Sequence, residues 1–183
     1  LDPKPGETVL EIAAGTGDTG FLAADRFAPT GRLISSDLVP EMVAAAERRA
    51  SELDVSNVDF RALDAQELDL PDESVDGILC RWGYMLVPEP PVAFAETRRV
   101  LRRGGRVSFA VWGTADENPW AAAIGRVLVS SGQMDRPEPD APGPFRLADP
   151  ERWRHLVGLA RVTASEFGRP AAGYAEACSL LKV

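Results

Sequence analysis

The chain has 183 residues, 45% of them hydrophobic, which suits one globular unit with one sizeable core. Its formal charge of -8 would repel a polyphosphate backbone, and no block of Lys and Arg offsets it, so nucleic-acid substrates are disfavoured. No apolar run reaches the length of a membrane span and the N-terminus lacks the layout of a signal peptide, which gives the expectation of a cytoplasmic protein.

Taken in chain order, strand-like and helix-like segments alternate, the pattern of a mostly parallel sheet covered by helices on both faces. Thr8 to Ala13 reads as a buried first strand running into a glycine-rich loop, and residues 19 to 28 as the helix after it. Leu33 to Ser36 is the second strand, ending at Asp37. A helix follows, with Pro40 near its start and Met42, Val43, Ala46, Ala50 and Leu53 on one face. Val58 to Leu63 is a third strand ending at Asp64, and Val75 to Cys80 a fourth. The spacing of Ala93, Phe94, Thr97, Val100 and Leu101 predicts a helix over 91–103 that Gly104-Gly105 terminates, before a fifth strand from Arg106 to Trp112.

Asn118-Pro119 starts a helix running to about Ser131, and the proline-rich stretch from Gln133 to Pro150 reads as a loop or lid. Asp149-Pro150 opens a short helix through Leu156, and Ala160 to Phe167 looks like a sixth strand. No seventh strand is evident. The expected organisation is a single unit over 1–183, with 1–113 as a cofactor-binding core and 114–183 on the acceptor side. Cys80 and Cys178 lie far apart without CxxC spacing, which suggests neither a disulfide framework nor a zinc site.

The candidate site begins at Glu11-Ile12-Ala13-Ala14-Gly15-Thr16-Gly17-Asp18, where a strand-to-helix turn exposes backbone N–H groups and glycine lets a ligand approach. Alone, such a loop could be a tight structural turn. Asp37, at the end of the second strand, can accept hydrogen bonds from both ribose hydroxyls of an adenosine. Asp64-Ala65, at the end of the third, could read the adenine amino group and ring edge. Either acid alone could be a helix cap or a solvated loop residue, but sites at three adjacent strand tips point to a ligand, since open α/β sheets bind ligands at those ends.

The run VLEIAAGTGD, the acid after strand two, the Asp64-Ala65 pair and RVLRRGGRV resemble the class I methyltransferase motifs, over roughly residues 5 to 113. The pattern is similar to the ubiquinone and menaquinone biosynthesis type, which likewise has alanine where others carry the first glycine. The resemblance implies a Rossmann-like doubly wound fold and S-adenosylmethionine as methyl donor. It implies Glu11 ordering the glycine loop, Gly15, Thr16 and Gly17 beside the methionine part, Asp37 on the ribose, and Asp64 and Ala65 at the adenine, with Ala13 and Ala14 also in the cofactor set. Leu38, Met42 and Arg81 complete the expected cofactor set. Cys80-Arg81-Trp82-Gly83-Tyr84-Met85-Leu86 departs from the Arg-Asn pair of the quinone enzymes, which turns the expectation toward other small-molecule acceptors.

Methyl transfer from a sulfonium is an in-line displacement that needs alignment and exclusion of water rather than a triad, so no catalytic residue is assigned, including the sole histidine, His155. Trp82 and Tyr84 are the expected acceptor contacts, with Trp112 and Trp120 nearby; the alternative for all of these is core packing. Gly15 to Gly20 also matches GxGxxG, so a nicotinamide oxidoreductase is the formal rival. The chain lacks a Tyr-x-x-x-Lys pair, and Glu11 and Asp64-Ala65 favour the methyl donor. A cofactor-binding module without turnover is a third reading. Because the chain opens at Leu1, close to the first strand, the expectation is that segments are missing at its ends or inside its last part.

Overall fold

The computed structural model describes residues 1–138 and 140–159, and the backbone of 163–167 and 176–182. In chain order the elements are β1 (Thr8–Ile12), α1 (Asp18–Phe27), β2 (Arg32–Asp37), α2 (Pro40–Glu52), β3 (Val58–Ala62) and β4 (Val75–Arg81), followed by α3 (Pro90–Val100), β5 (Leu101–Trp112), α4 (Pro119–Ser130), α5 (Pro150–Leu159), β6 (Thr163–Phe167) and β7 (Glu176–Lys182). They build a 7-stranded sheet in the order β3-β2-β1-β4-β5-β7-β6. β1 to β5 pair in parallel, and β7 runs antiparallel to both β5 and β6.

The central strands are buried on both faces, as parallel strands covered by crossover helices must be. On β1, Val9 points into a cluster with Phe21, Ala24 and Phe27 of α1 and Ala46 and Ala50 of α2, whereas Leu10 and Ile12 point into a larger one with Phe94, Phe109, Trp153 and Leu147. On β4, Leu79 and Ile78 divide in the same way. This two-sided burial lifts the parallel strand tips, and the turns leaving them, into one row. Such a row is where open α/β sheets place ligands.

Three expectations from the sequence are corrected. The third helix ends at Val100 rather than at 103, and Gly104-Gly105 lies inside β5, not at a helix terminus. Carbonyls that a longer helix would use accept instead from the loop before β4: Glu73 N–H donates to Arg99 O at 2.9 Å and Ser74 N–H to Val100 O at 2.8 Å. The register then steps from Val75↔Leu101 to Gly77↔Arg106, so the glycines belong to an irregularity in the strand, with Gly104 at φ 77°.

A seventh strand exists: Glu176–Lys182 pairs with β5 from Trp112↔Glu176 to Arg106↔Lys182. The stretch expected as a loop or lid has no helix or strand among its described residues before α5, and its later part is tied down. Gly143 N–H donates to Met85 O at 3.0 Å, Arg146 donates to the carbonyls of Val87 and Pro88, and Leu147 is fully buried. The sixth strand begins at Thr163; residues 160–162 of its expected range lie outside the described ones.

Candidate functional site

The turn after β1 takes left-handed backbone geometry and is held by hydrogen bonds to β2. Ala13 (φ 55°), Gly15 (φ 56°) and Gly17 (φ 84°) all take left-handed geometry, which costs least at glycine. Ala14 N–H donates to Ser36 O and Gly15 N–H to Asp37 Oδ2, both at 2.9 Å, while Ser36 Oγ donates to Glu11 O at 2.7 Å. Asp37 Oδ1 also accepts from Val39 N–H at 3.0 Å, so its carboxylate is fixed at the strand tip.

Around this turn lies a pocket of about 310 Å³, lined by Glu11, Ala13, Ala14, Gly15, Thr16 and Met42 together with Arg81 and Trp82 from the exit of β4. It thus unites these with Asp18, nine of the residues singled out by sequence, and adds Thr19 of the first turn of α1. Gly17 caps α1 beside it. Asp37 reaches the pocket wall through Gly15, and Leu38 is exposed on the far side of Asp37. Asp64 does not line the pocket; it accepts from Gln66 N–H at 2.8 Å within its own turn, and Ala65 is buried in the larger core cluster.

Glu11 is the buried ionisable group of the pocket. One carboxylate oxygen accepts from Gly20 N–H at 2.8 Å, whereas Oε2 is buried with no hydrogen-bond partner. Burial raises its carboxyl to about 7, against the Gly20 bond, which lowers it. Asp18 is held below the usual carboxylate range by its hydrogen bond from Arg49 of α2. Arg49 also reaches Thr16 O and Oγ1, at 3.4 and 3.3 Å, and so clamps the glycine turn from the neighbouring helix. Sequence reasoning missed it, because a contact across this separation has no local signal. Thr19 could have been found as the continuation of the glycine motif, past Asp18, into the first helical turn.

Trp82 leaves β4 with φ 65°, its ring under the Arg81 guanidinium at 3.8 Å and stacked on Trp112 with centroids 4.8 Å apart. Trp112 in turn meets Trp120 edge-on at 5.3 Å. Tyr84, expected on the acceptor, is instead fully buried. It stacks on Phe94 at 4.4 Å, meets Phe109 edge-on and shares a 2.6 Å hydrogen bond with Thr97 Oγ1. The chain turns inward after Gly83, so this ring completes the aromatic core and does not face the pocket. His155 is exposed on α5, outside this pocket. Cys80 is a buried free thiol, pushed up to about 12 by desolvation.

A glycine turn at the tip of the central strand of a 3-2-1-4-5-7-6 sheet defines a Rossmann-like domain with a nucleotide-type pocket. A family described as "Methyltransferase domain" matches residues 3–134, and the chain belongs to that family. It is similar to an arsenite methyltransferase of Halobacterium salinarum, 41% identical over 106 residues, covering 58% of this chain and 27% of the relative. A demethylmenaquinone methyltransferase of Symbiobacterium thermophilum is 33% identical over 104 residues, covering 56% of this chain and 41% of the relative. The chain therefore spans less than half the length of these curated relatives. The fold is similar to the crystal structure of a SAM-dependent methyltransferase from Aquifex aeolicus, with a TM-score of 0.71 and 19% identity over 98% of this chain and 82% of that one.

Proposed function

We propose that the chain transfers a methyl group from S-adenosylmethionine to a small-molecule acceptor. The observation that carries this is Glu11: a carboxylate oxygen buried without a partner, in the wall of a pocket otherwise made of a glycine turn, fits a cationic ligand. When bound, the cofactor supplies an electrophilic methyl group on a sulfonium with a good leaving group.

The residues then divide the work. Glu11 faces the positive charge of the amino-acid part and Arg81 its carboxylate; Ala13, Ala14, Gly15, Thr16 and Gly17 let the backbone close on the ligand. Asp37, already oriented by Gly15 and Val39, accepts from ribose hydroxyls; Leu38 and Met42 give apolar walls, and Asp64 and Ala65 bound the adenine end. Trp82 forms the wall toward the acceptor, where its indole face stabilises cationic charge and keeps water out. No side chain is assigned as acid or base, because alignment supplies most of what in-line displacement requires.

The charge of -8 supports a small acceptor over a nucleic acid, and two cysteines without a disulfide pattern are in keeping with a cytoplasmic setting. We place the cofactor half in residues 1–113 and the acceptor side in 114–183 of one domain. Among the described residues no helix is long and apolar enough to cross a membrane.

Calorimetric titration with S-adenosylhomocysteine, NAD and NADH tests the reading. The expected result is binding of S-adenosylhomocysteine alone, weakened by about 1 kcal/mol or more in Asp37→Ala, the scale of a charge-assisted hydrogen bond. Binding of the nicotinamide cofactors instead would replace the proposal with a dehydrogenase.

A further inference from the structure

A second cavity lies between α4 and the proline-rich segment 133–149, and at about 950 Å³ it is far larger than the 310 Å³ pocket at the glycine turn. Small-molecule sites span about 300–1,000 Å³, so it has the room of a large ligand site. We propose that this groove is the acceptor chamber and that it takes an elongated apolar molecule carrying an anionic group; the inference rests on the methyl-transfer reading above.

The walls set the apolar part. Ala122, Gly125 and Val129 of α4 face Met134 and Phe145 of the segment. Small residues keep the groove wide, and a Cβ on Gly125 would meet nothing within 4 Å. Arg126 is the only charged residue of α4 and Ala122 its only buried one, and Gly125 and Val129 present partly exposed apolar surface to the groove.

The charges set the anionic part. Arg126, Arg136 and Arg146 line the groove against one carboxylate, Glu138, in a chain whose overall charge is -8. Neither Arg126 nor Arg136 forms an ion pair with a described carboxylate, and Arg146 donates only to the neutral carbonyls of Val87 and Pro88. A local cationic excess beside apolar walls complements a fatty or aromatic acid and disfavours amines.

Position links the groove to the methyl donor. Trp82 lines the cofactor pocket, stacks on Trp112, and Trp112 contacts Trp120, whose successors Ala121 and Ala122 line the groove. The outer wall is fastened to the same β4 exit through Gly143 N–H to Met85 O and Arg146 to Val87 O. The three rings therefore lie in a row from the cofactor pocket to the start of α4, the helix that lines the groove.

The test compares dodecanoate, dodecanol and dodecylamine, which share a chain and differ in head-group charge, titrated calorimetrically with and without saturating S-adenosylhomocysteine. Dodecanoate is expected to bind about tenfold tighter than the other two and alongside S-adenosylhomocysteine, not in competition with it. The pair Arg126→Glu and Arg136→Glu should weaken dodecanoate by about tenfold while thermal unfolding and S-adenosylhomocysteine affinity stay within about twofold-equivalent change. Val129→Trp, which fills the groove, should abolish binding of all three chains. Equal binding of the three, displacement by S-adenosylhomocysteine, or indifference to the arginine reversals overturns the proposal, as does a dimer that Val129→Trp breaks, which would give the groove to a second copy. If S-adenosylhomocysteine binds and dodecanoate does not, the groove assignment alone falls. If dodecanoate binds and S-adenosylhomocysteine does not, the methyl-transfer reading falls and the acceptor assignment falls with it.

Discussion

The methyl group of Ala13 occupies the space that a side chain at Gly83 would need: a Cβ on Gly83 would lie 2.7 Å from the Cβ of Ala13 and 2.8 Å from Cys80 Sγ. The glycine turn and the β4 exit that carries Trp82 are therefore packed backbone against methyl. Gly83→Ala should destabilise the fold by about 1–3 kcal/mol through overpacking. Adding Ala13→Gly should recover part of that loss, since one of the two obstructions goes and a left-handed residue gains a glycine. Urea unfolding of both variants measures this, and an undiminished midpoint for Gly83→Ala would contradict the packing.

The Glu11 carboxyl goes from an ordinary value of 4.5 to about 7 on burial. With the folded value above the unfolded one, its contribution, at most about 3 kcal/mol, is fully present below about pH 4.5 and lost as pH rises through about 7. The difference in stability between parent and Glu11→Gln should follow that window, with the glutamine variant the more stable at about pH 8. S-adenosylhomocysteine affinity should run the other way, rising with pH as the carboxylate forms opposite the ligand's ammonium. Parallel pH profiles for parent and variant would remove Glu11 from the account.

Gly20 sits inside α1, where alanine ordinarily gains about 1 kcal/mol over glycine. A Cβ there would lie 2.2 Å from Glu11 Oε2 and 2.7 Å from Leu33 Cδ2, so the sign reverses and Gly20→Ala should lose stability. A double-mutant cycle with Glu11→Ala should show coupling of about 1 kcal/mol or more, and additive losses would disprove the contact.

Tyr84 separates stability from binding. Tyr84→Phe deletes the hydrogen bond to Thr97 Oγ1 in a buried site and should cost about 1–2 kcal/mol. Its S-adenosylhomocysteine affinity should match the parent's, because the ring faces Phe94 and Phe109. A changed affinity at unchanged stability would return this residue to the ligand.

The parallel half of the sheet was legible because its strands are short apolar runs feeding turn residues, and burial on both faces demands such runs. The glycine turn and Asp37 were legible for the same local reason. The end of α3 was not: Leu101 continues the helical spacing of Ala93, Phe94, Thr97 and Val100, yet it is fully buried as the first residue of β5, so periodicity carries straight across the boundary. Glu176–Lys182, reading EACSLLK, has neither alternation nor β-branched residues, and its strand exists through pairing with β5. Tyr84 and Arg49 depend on how distant segments meet, which no window of sequence contains.

β7 lies between β5 and β6, although it is the last of the three to be synthesised. Until residues 176–182 have left the ribosome, β5 has an open edge and β6 has no neighbour to join. A growing chain thus carries a finished glycine turn and an unfinished sheet at once, and the edge of β5 is a template for wrong pairing with other chains during that interval. The order of the strands makes the edge of β5 the place where a partly synthesised chain is most open to mispairing.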